Sequence, residues 1–401
     1  MSDTFPFLFH LEAPTPDTPA TGHSVPLRGW LIVGRDVEIA GPFVEQGGRR
    51  HALRPTERRD VEAHFDTDDR VIGFDELVHA TSAGPWHLAV EMAGVTYRTE
   101  LPVTVDPTAL ASFGPDKAAK LERIEPVLRC PRPRPRRNST DTSCGGQLRR
   151  HDGELRCRRC RARYPSTTLH FDFLTDELRV ESAIEDTANV STNFYPEPVL
   201  EMIDELADGL ILDNGAGLRH EYHRNVVNFD VVPYPTTDVL GVGERLPFAP
   251  ESFDALISIV VLEHVRDPFR CAAEIARVLK PGGRLYAAVP FLQPYHGYPS
   301  HYFNMTHQGL ERLFGDDFDI EESTVPKYGL PISTLTWFLR SYLAGLPDDA
   351  RRHLEEMRVK DLTGRAMSYW PEDFVRELSP ETTRELACVN AIVATKRRSR
   401  T

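Results

Sequence analysis

The stretch Leu210-Ile-Leu-Asp213-Asn-Gly215-Ala-Gly217 constrains this chain more than any other. A short apolar run that ends in an acid and turns through Gly-x-Gly reads as a buried parallel strand. It delivers a ligand-binding turn at its carboxyl end. Glycines matter there because a backbone without Cβ adopts positive φ and lets a ligand approach its N–H groups. A second apolar run, Val226-Val-Asn-Phe-Asp230, closes on another acid seventeen residues further on. That is near the spacing of about 20 at which a carboxylate grips a ribose. A nicotinamide-type fingerprint asks for a third glycine, G-x-G-x-x-G, and His220 stands at that position.

Around this turn the pattern predicts strands at 210–213, 226–230, 238–242, 254–261 and 284–290. Apolar positions at helical spacing predict helices over Glu197–Leu206 and Phe269–Leu279, the second stopped by Pro281-Gly-Gly283. Alternation of this kind implies an α/β fold, a doubly wound and mostly parallel sheet covered on both faces. The link Val231–Thr237 is too short for a helix. After a helix at Thr306–Phe314, a sixth strand is expected at Phe318–Val325 and the last at Cys388–Thr395. Between those two, Pro331–Glu385 reads as a helical insertion and a candidate lid.

The first 107 residues carry short β runs, Ser24–Val33, Arg70–Phe74, His87–Met92 and Thr96–Val105, with a hairpin turning at Ala93-Gly94. They predict an all-β sandwich module. Residues 108–128 read as a linker with a helix over Asp116–Ile124 that starts behind Pro115. Residues 129–175 hold Cys130, Cys144, Cys157 and Cys160, and residues 176–401 form the α/β domain. Four thiolates about 2.3 Å from one ion make the closed tetrahedral site that zinc prefers. Thirteen residues, including Pro131-Arg-Pro-Arg-Pro-Arg-Arg137, separate the first two cysteines, so this site requires that run to loop out. Cys271 and Cys388 read as buried free thiols.

The net charge of −13 argues against a surface that coats nucleic acid or an anionic membrane as a whole. A local exception runs from Arg129 to Arg163, where twelve arginines face three acids. That segment reads as a solvated face or as a phosphate-tracking patch. No basic leader and no apolar run of about 18 residues is present in the sequence, so no membrane span and a cytoplasmic location are expected.

The order Leu246-Pro-Phe248, Ser252-Phe-Asp254, Val261-Leu-Glu-His264-Val and Arg277-Val-Leu-Lys-Pro281-Gly-Gly283 resembles the class I S-adenosylmethionine-dependent methyltransferases over about residues 176–325. The cysteine quartet resembles the short zinc ribbon that precedes some of these domains. The likeness implies that Asp213, Gly215, Ala216 and Gly217 hold the amino acid end of S-adenosylmethionine, and that Asp230 accepts the ribose hydroxyls. Val242 stands where an acid commonly takes the adenine amine, which leaves Glu244 or a backbone group near Gly243 for that role. The implied reaction moves a methyl group to an O or N atom of a small-molecule or glycan acceptor. An RNA methyltransferase using the basic ribbon and a non-catalytic cofactor-binding scaffold are the alternatives. The loop Pro290–Thr306 follows the fifth strand, and its His296 and His301 are the candidate bases facing the acceptor. His264 is a weaker candidate, with a helix-start or cofactor-side role.

Overall fold

The computed structural model describes residues 6–15, 23–82, 84–133, 143–185, 187, 191–192, 194–364 and 366–386. The chain divides into two compact units, one of Met1–Val261 with Phe269–Ala288 and one of Leu262–Pro268 with Val289–Thr401.

The first unit begins with seven strands: β1 (Leu8–Ala13), β2 (Ser24–Val33), β3 (Ala40–Gln46), β4 (Arg49–Ala52), β5 (Arg70–His79), β6 (Trp86–Met92) and β7 (Val95–Leu101). They form two antiparallel sheets, β1-β2-β5 and β4-β3-β6-β7. Alternate residues fill one core from both sheets, with Val25, Leu27, Leu31 and Val33 from β2 meeting Val44, Trp86, Leu88 and Val90 from β3 and β6. Each large apolar side chain buried this way contributes about 1.5–3 kcal/mol. The expected hairpin forms: Ala93 and Gly94 both take positive φ between β6 and β7. A short helix, α1 (Arg59–Phe65), completes the module.

The linker helix is longer than its sequence suggests. α2 spans Pro107–Ile124, with the Asp106 carboxylate accepting from the Thr108 N–H at 2.8 Å and Pro107 in the first turn. Pro115 therefore lies inside the helix rather than at its start. Tertiary contacts outweigh the hydrogen bond that the proline removes. Leu121 and Ile124 are buried, and the Arg123 guanidinium bonds the Asp208 and Gly209 carbonyls just ahead of the central sheet.

Two further residues of α2 are lysines with almost no exposure, in a chain that has only six. Lys117 Nζ donates to the Thr237 carbonyl at 2.7 Å and to Asp238 at 3.2 Å. Lys120 donates to Asp238 at 3.1 Å and to the Val226 carbonyl, with its Nζ 3.4 Å from the centre of the Tyr222 ring. Burial depresses both ammonium groups, Lys120 to about 8, and the Asp238 carboxylate opposes that shift. The helix is thus fastened along the amino ends of the parallel strands.

A small antiparallel sheet follows, β8 (Leu148–His151), β9 (Glu154–Cys157) and β10 (Arg163–Pro165), and then β11 (Phe171–Asp172). The helices α3 (Asp176–Glu181) and α4 (Glu197–Glu205) lead into β12 (Ile211–Asn214), β13 (Val226–Asp230), β14 (Val239–Leu240), β15 (Phe253–Ile259) and β16 (Leu279–Ala288). The order is β11-β14-β13-β12-β15-β16, with every neighbouring pair parallel. This is the Rossmann-like sheet that the sequence predicts. Its edge strand β11 comes from ahead of residue 176, out of the cysteine-bearing segment.

The alternation with helices is incomplete. Only α5 (Pro268–Val278) fills a crossover among β12 to β16, and the glycine turn leads into irregular chain up to Val226. Eight residues from Leu218 to Asn225 leave too little length for a helix and two connections. Their side chains are drawn inward instead, Arg219 and Asn225 being buried. No strand forms over Phe318–Val325, which is largely exposed, and the strand expected at Cys388–Thr395 lies outside the described residues.

In the second unit α6 (His307–Phe314) is capped by Thr306, whose hydroxyl accepts from the Gly309 N–H at 3.1 Å. Over Pro331–Glu385 the chain is mostly helical, with α7 (Pro331–Ala344), α8 (Asp348–Glu356), α9 (Asp373–Arg376) and α10 (Pro380–Glu385). Leu346, Ala350, Leu354 and Phe374 give it a small core of its own. Among the described residues, no helix is long and apolar enough to cross a membrane.

Candidate functional site

The carboxyl ends of β12 and β13 bring Asp213, the glycine turn and Asp230 together. Asp213 is fully buried, and one of its oxygens, Oδ2, accepts from Tyr195 Oη at 2.5 Å and from the Arg219 guanidinium at 2.8 and 2.7 Å. Among the described residues, its other oxygen, Oδ1, is buried without a hydrogen-bond partner. The Arg219 guanidinium lies 4.1 Å from the centre of the Tyr195 ring, so the two partners support each other. Neither partner is evident in the sequence. For Arg219 the signal is the run Leu218-Arg-His-Glu-Tyr222 directly after the glycine turn, and Tyr195 stands apart from it, just ahead of α4.

Gly215 and Gly217 take φ of +78° and +64°, as the turn requires. A Cβ on Gly215 would meet the Val261 side chain at 2.3 Å, and one on Gly217 the Ser191 carbonyl at 2.5 Å. The close approach at both glycines is thus to the protein's own chain. Ala216 is buried, with its N–H donating to the Phe229 carbonyl at 3.1 Å. Asp230 accepts from the Gly217 N–H at 2.7 Å and the Val232 N–H at 2.9 Å, which locks the turn to the second strand. Burial raises its carboxyl above the usual range, and those N–H groups offset part of the shift.

Gly243 opens a short 3-10 turn with Glu244. It is wedged between Cys271, whose sulfur would lie 2.7 Å from a Cβ there, and Asn214. Glu244 is half-buried beside it, Val242 is buried, and Cys271 is a buried thiol outside any disulfide, as expected.

The donor set suits S-adenosylmethionine. The unpartnered Asp213 oxygen lacks only a cationic donor such as an α-amino group, and each Asp230 oxygen has a lone pair left for a hydroxyl.

The four cysteines converge. The sulfurs of Cys130, Cys144, Cys157 and Cys160 all lie within 4.8 Å of one another, with Cys130 and Cys160 at 3.5 Å and Cys144 and Cys157 at 3.7 Å. A zinc tetrahedron with bonds of about 2.3 Å places its sulfurs about 3.8 Å apart, so the set fits the ion. The Cys144 N–H donates to the Arg132 carbonyl at 2.7 Å, and Pro133 bridges Ser143. This neck brings Cys144 beside Cys130, and residues 134–142 lie outside the described residues. The Arg159 and Cys160 N–H groups each donate to Cys157 Sγ at 3.4 Å, as suits a thiolate. Gly146 has no room for a side chain: a Cβ would lie 2.6 Å from the Cys157 sulfur.

In the second unit His264, His296 and His301 form a cluster with ring centres 4.5–5.7 Å apart. His264 Nδ1 bonds the Ser300 carbonyl at 2.7 Å and His296 Nδ1 the Pro294 carbonyl at 2.8 Å. A carbonyl only accepts, so both rings carry their proton on Nδ1 and keep a lone pair on Nε2. His301 is different. Its Nδ1 accepts from the His296 N–H at 3.1 Å, and its Nε2 donates to Asn304 Oδ1 at 2.8 Å. The amide of Asn304 is oriented by its own donation to the Gln293 carbonyl at 2.9 Å. His301 thus has both nitrogens engaged, and of the two candidate bases only His296 keeps a lone pair. Burial lowers His264 to about 4 and also depresses His296.

Residues 216–287 match the family model described as a methyltransferase domain. An uncharacterized methyltransferase of Mycobacterium tuberculosis is 33% identical over 107 residues, 23% of this chain and 44% of the relative. One of Mycolicibacterium vanbaalenii is 39% identical over 72 residues, 18% of this chain and 27% of the relative. The chain thus spans less than half the length of the curated relatives it matches. Among solved structures, a methyltransferase of Thermotoga maritima, titled as a possible histamine N-methyltransferase, shares 21% identity over 28% of this chain and 67% of its own, with a TM-score of 0.21. A phosphoethanolamine N-methyltransferase of Haemonchus contortus, solved with S-adenosylhomocysteine, shares 18% over 41% of this chain and 46% of its own, with a TM-score of 0.23. The fold assignment rests on the strand order, and the likeness to methyltransferase domains on the match over residues 216–287.

Proposed function

We propose that this protein is an S-adenosylmethionine-dependent methyltransferase acting on an O or N atom of a small-molecule or glycan acceptor. The observation that carries the reading is the buried Asp213 oxygen without a partner, one strand from Asp230 at the carboxyl ends of β12 and β13. The donor supplies a methyl group on a sulfonium, electrophilic enough that alignment and exclusion of water do most of the catalysis. In this reading Asp213 holds the α-amino group and the Gly215-Ala216-Gly217 turn the amino acid end. Asp230 takes the ribose hydroxyls, and Glu244 or the Gly243 backbone the adenine side. His296, with its free Nε2, is the residue that takes a proton from the acceptor, and His301 holds the His296 backbone in place.

An RNA acceptor is disfavoured by how the basic segment uses its charges. Arg129 and Arg159 bond main-chain carbonyls, Arg150 pairs with Glu125, and Arg156 and Arg163 face Glu154. Five of the twelve guanidiniums thus have partners in the chain itself, and the chain as a whole carries a net charge of −13.

Calorimetry with S-adenosylmethionine tests the site: Asp230→Ala and Gly215→Val should each weaken binding at least about tenfold, through lost charge-assisted bonds and a displaced turn. Equal affinity in all three proteins rejects it. We further propose one zinc per chain on Cys130, Cys144, Cys157 and Cys160. Elemental analysis should return one equivalent, and a chelator that removes it should lower the melting temperature. A folded, metal-free protein would reject that site.

A further inference from the structure

Glu263 is a buried carboxylate that the proposed methyl-transfer chemistry leaves without a role. Its exposure is 0%, and among the described residues neither Oε1 nor Oε2 has a hydrogen-bond partner. Such a group is costly in a protein interior unless something pairs with it. Among the described residues, what faces it is a pair of imidazoles. A carboxylate oxygen of Glu263 and a ring nitrogen each of His264 and His296 lie within 4.8 Å of one another, and His264 Nε2 is 3.6 Å from Glu263 Oε1.

The hydrogen bonds around this trio orient it. Carbonyl groups of Ser300 and Pro294 fix the Nδ1 protons of His264 and His296, which leaves both Nε2 lone pairs free. An imidazole that donates through one nitrogen to a carbonyl and offers the other is the arrangement found around ligating histidines. The backbone is built to hold it. The Tyr302 N–H donates to the Glu263 carbonyl at 2.6 Å, and Gly297, at φ +91°, passes so close over His264 that a Cβ would lie 2.4 Å from its Cε1. His301 accepts the His296 N–H and so fixes the loop from the other side.

We propose that Glu263, His264 and His296 form a binding site for a divalent first-row transition metal, separate from the four-thiol site. Two imidazoles and one carboxylate, without sulfur, suit ions such as Mn²⁺, Fe²⁺, Co²⁺ or Zn²⁺. One ion about 2.1 Å from each donor needs donor separations of about 3–4.2 Å, so a contraction of a few tenths of an ångström closes the trio. Three protein ligands leave positions open for water or for an oxygen donor of a bound molecule, a hydroxyl or a carboxylate. Metal binding does not depend on methyl transfer. The ion takes the same His296 lone pair, so the proton-accepting role proposed above belongs to the metal-free protein.

Mn²⁺ is the probe that separates the two metal sites, since it favours nitrogen and oxygen over thiolate. Titrated into the full-length protein and followed by electron paramagnetic resonance, the free-ion signal should be lost up to one equivalent. The ion should also raise the melting temperature. Glu263→Gln, which keeps the shape, and His296→Gln should each weaken Mn²⁺ binding at least about tenfold and abolish the thermal shift. His301→Gln, outside the trio, should weaken it less. The melting curve of each variant without metal shows whether it is folded. No saturable Mn²⁺ binding by the wild-type protein, or equal affinity in folded Glu263→Gln and His296→Gln, overturns the proposal and leaves S-adenosylmethionine binding untouched.

Discussion

Asp238 and Asp213 are both fully buried carboxylates at the rim of one parallel sheet, the first at the amino end of β14 and the second near the carboxyl end of β12. At Asp238 every lone pair has a donor. Lys117 and Tyr222 reach Oδ1, and Lys120 and the Asn228 N–H reach Oδ2. At Asp213 three donors crowd onto Oδ2, while Oδ1 is left with none. The amino end uses its charges to fasten a helix to the sheet, and the carboxyl end holds one polar atom in reserve. A fully paired buried carboxylate serves the fold, and a buried oxygen without a partner marks where a ligand belongs.

The largest expected effect breaks the first half of that contrast. Asp238→Ala leaves two ammonium groups buried without a counter-charge and should cost about 3–5 kcal/mol in denaturant unfolding. A loss under 1 kcal/mol would mean that the lysines reach water. Next comes Asp213→Asn, which keeps the shape and removes the charge. Calorimetry should show S-adenosylmethionine affinity about ten- to a hundredfold weaker, from about 1.5–3 kcal/mol in a charged hydrogen bond. Its unfolding free energy should fall less than that of Asp238→Ala. Unchanged affinity would show that the open oxygen is not reserved for the donor.

The smallest effect concerns pH. Burial pushes His23 down to about 3 and His79 to about 4, with the Lys117 charge adding to both. Between about 6.5 and 4 the unfolded chain therefore takes up protons that the folded chain refuses, and stability falls as pH drops through that window. His23 stacks on Phe113 at 4.4 Å, so His23→Phe keeps the packing and removes one of the two titrations. Melting temperature followed from neutral to acid pH should decline less steeply in the variant. Parallel curves would take His23 out of the acid response.

Much of this architecture was legible because local rules and tertiary demands agree. Apolar runs ending in Asp213 and Asp230 can only be buried strands, and Ala93-Gly94 between alternating runs can hardly be anything but a hairpin. Where the expectations missed, a contact distant in sequence decided. Pro115 is a poor interior residue for a helix, yet Lys117 and Lys120 are held by groups more than 100 residues away. After Gly217 the decision is local: the Arg219 guanidinium is drawn inward by Asp213, six residues back, and the chain stays irregular.

The sequence by itself determined the parallel strands, the glycine turn, the two acids at the strand ends, the insertion's helical character and the identity of the four thiols. Those follow from hydrophobic periodicity and residue chemistry, which act over a few residues at a time. Only the tertiary structure decided which partners each buried charge has. It closed the neck that brings Cys144 to Cys130, left Asp213 Oδ1 open, engaged both nitrogens of His301, and set the neighbours Glu263 and His264 against His296, more than thirty residues further on. Hydrogen-bond saturation is a property of three-dimensional neighbours, and no one-dimensional spacing encodes it.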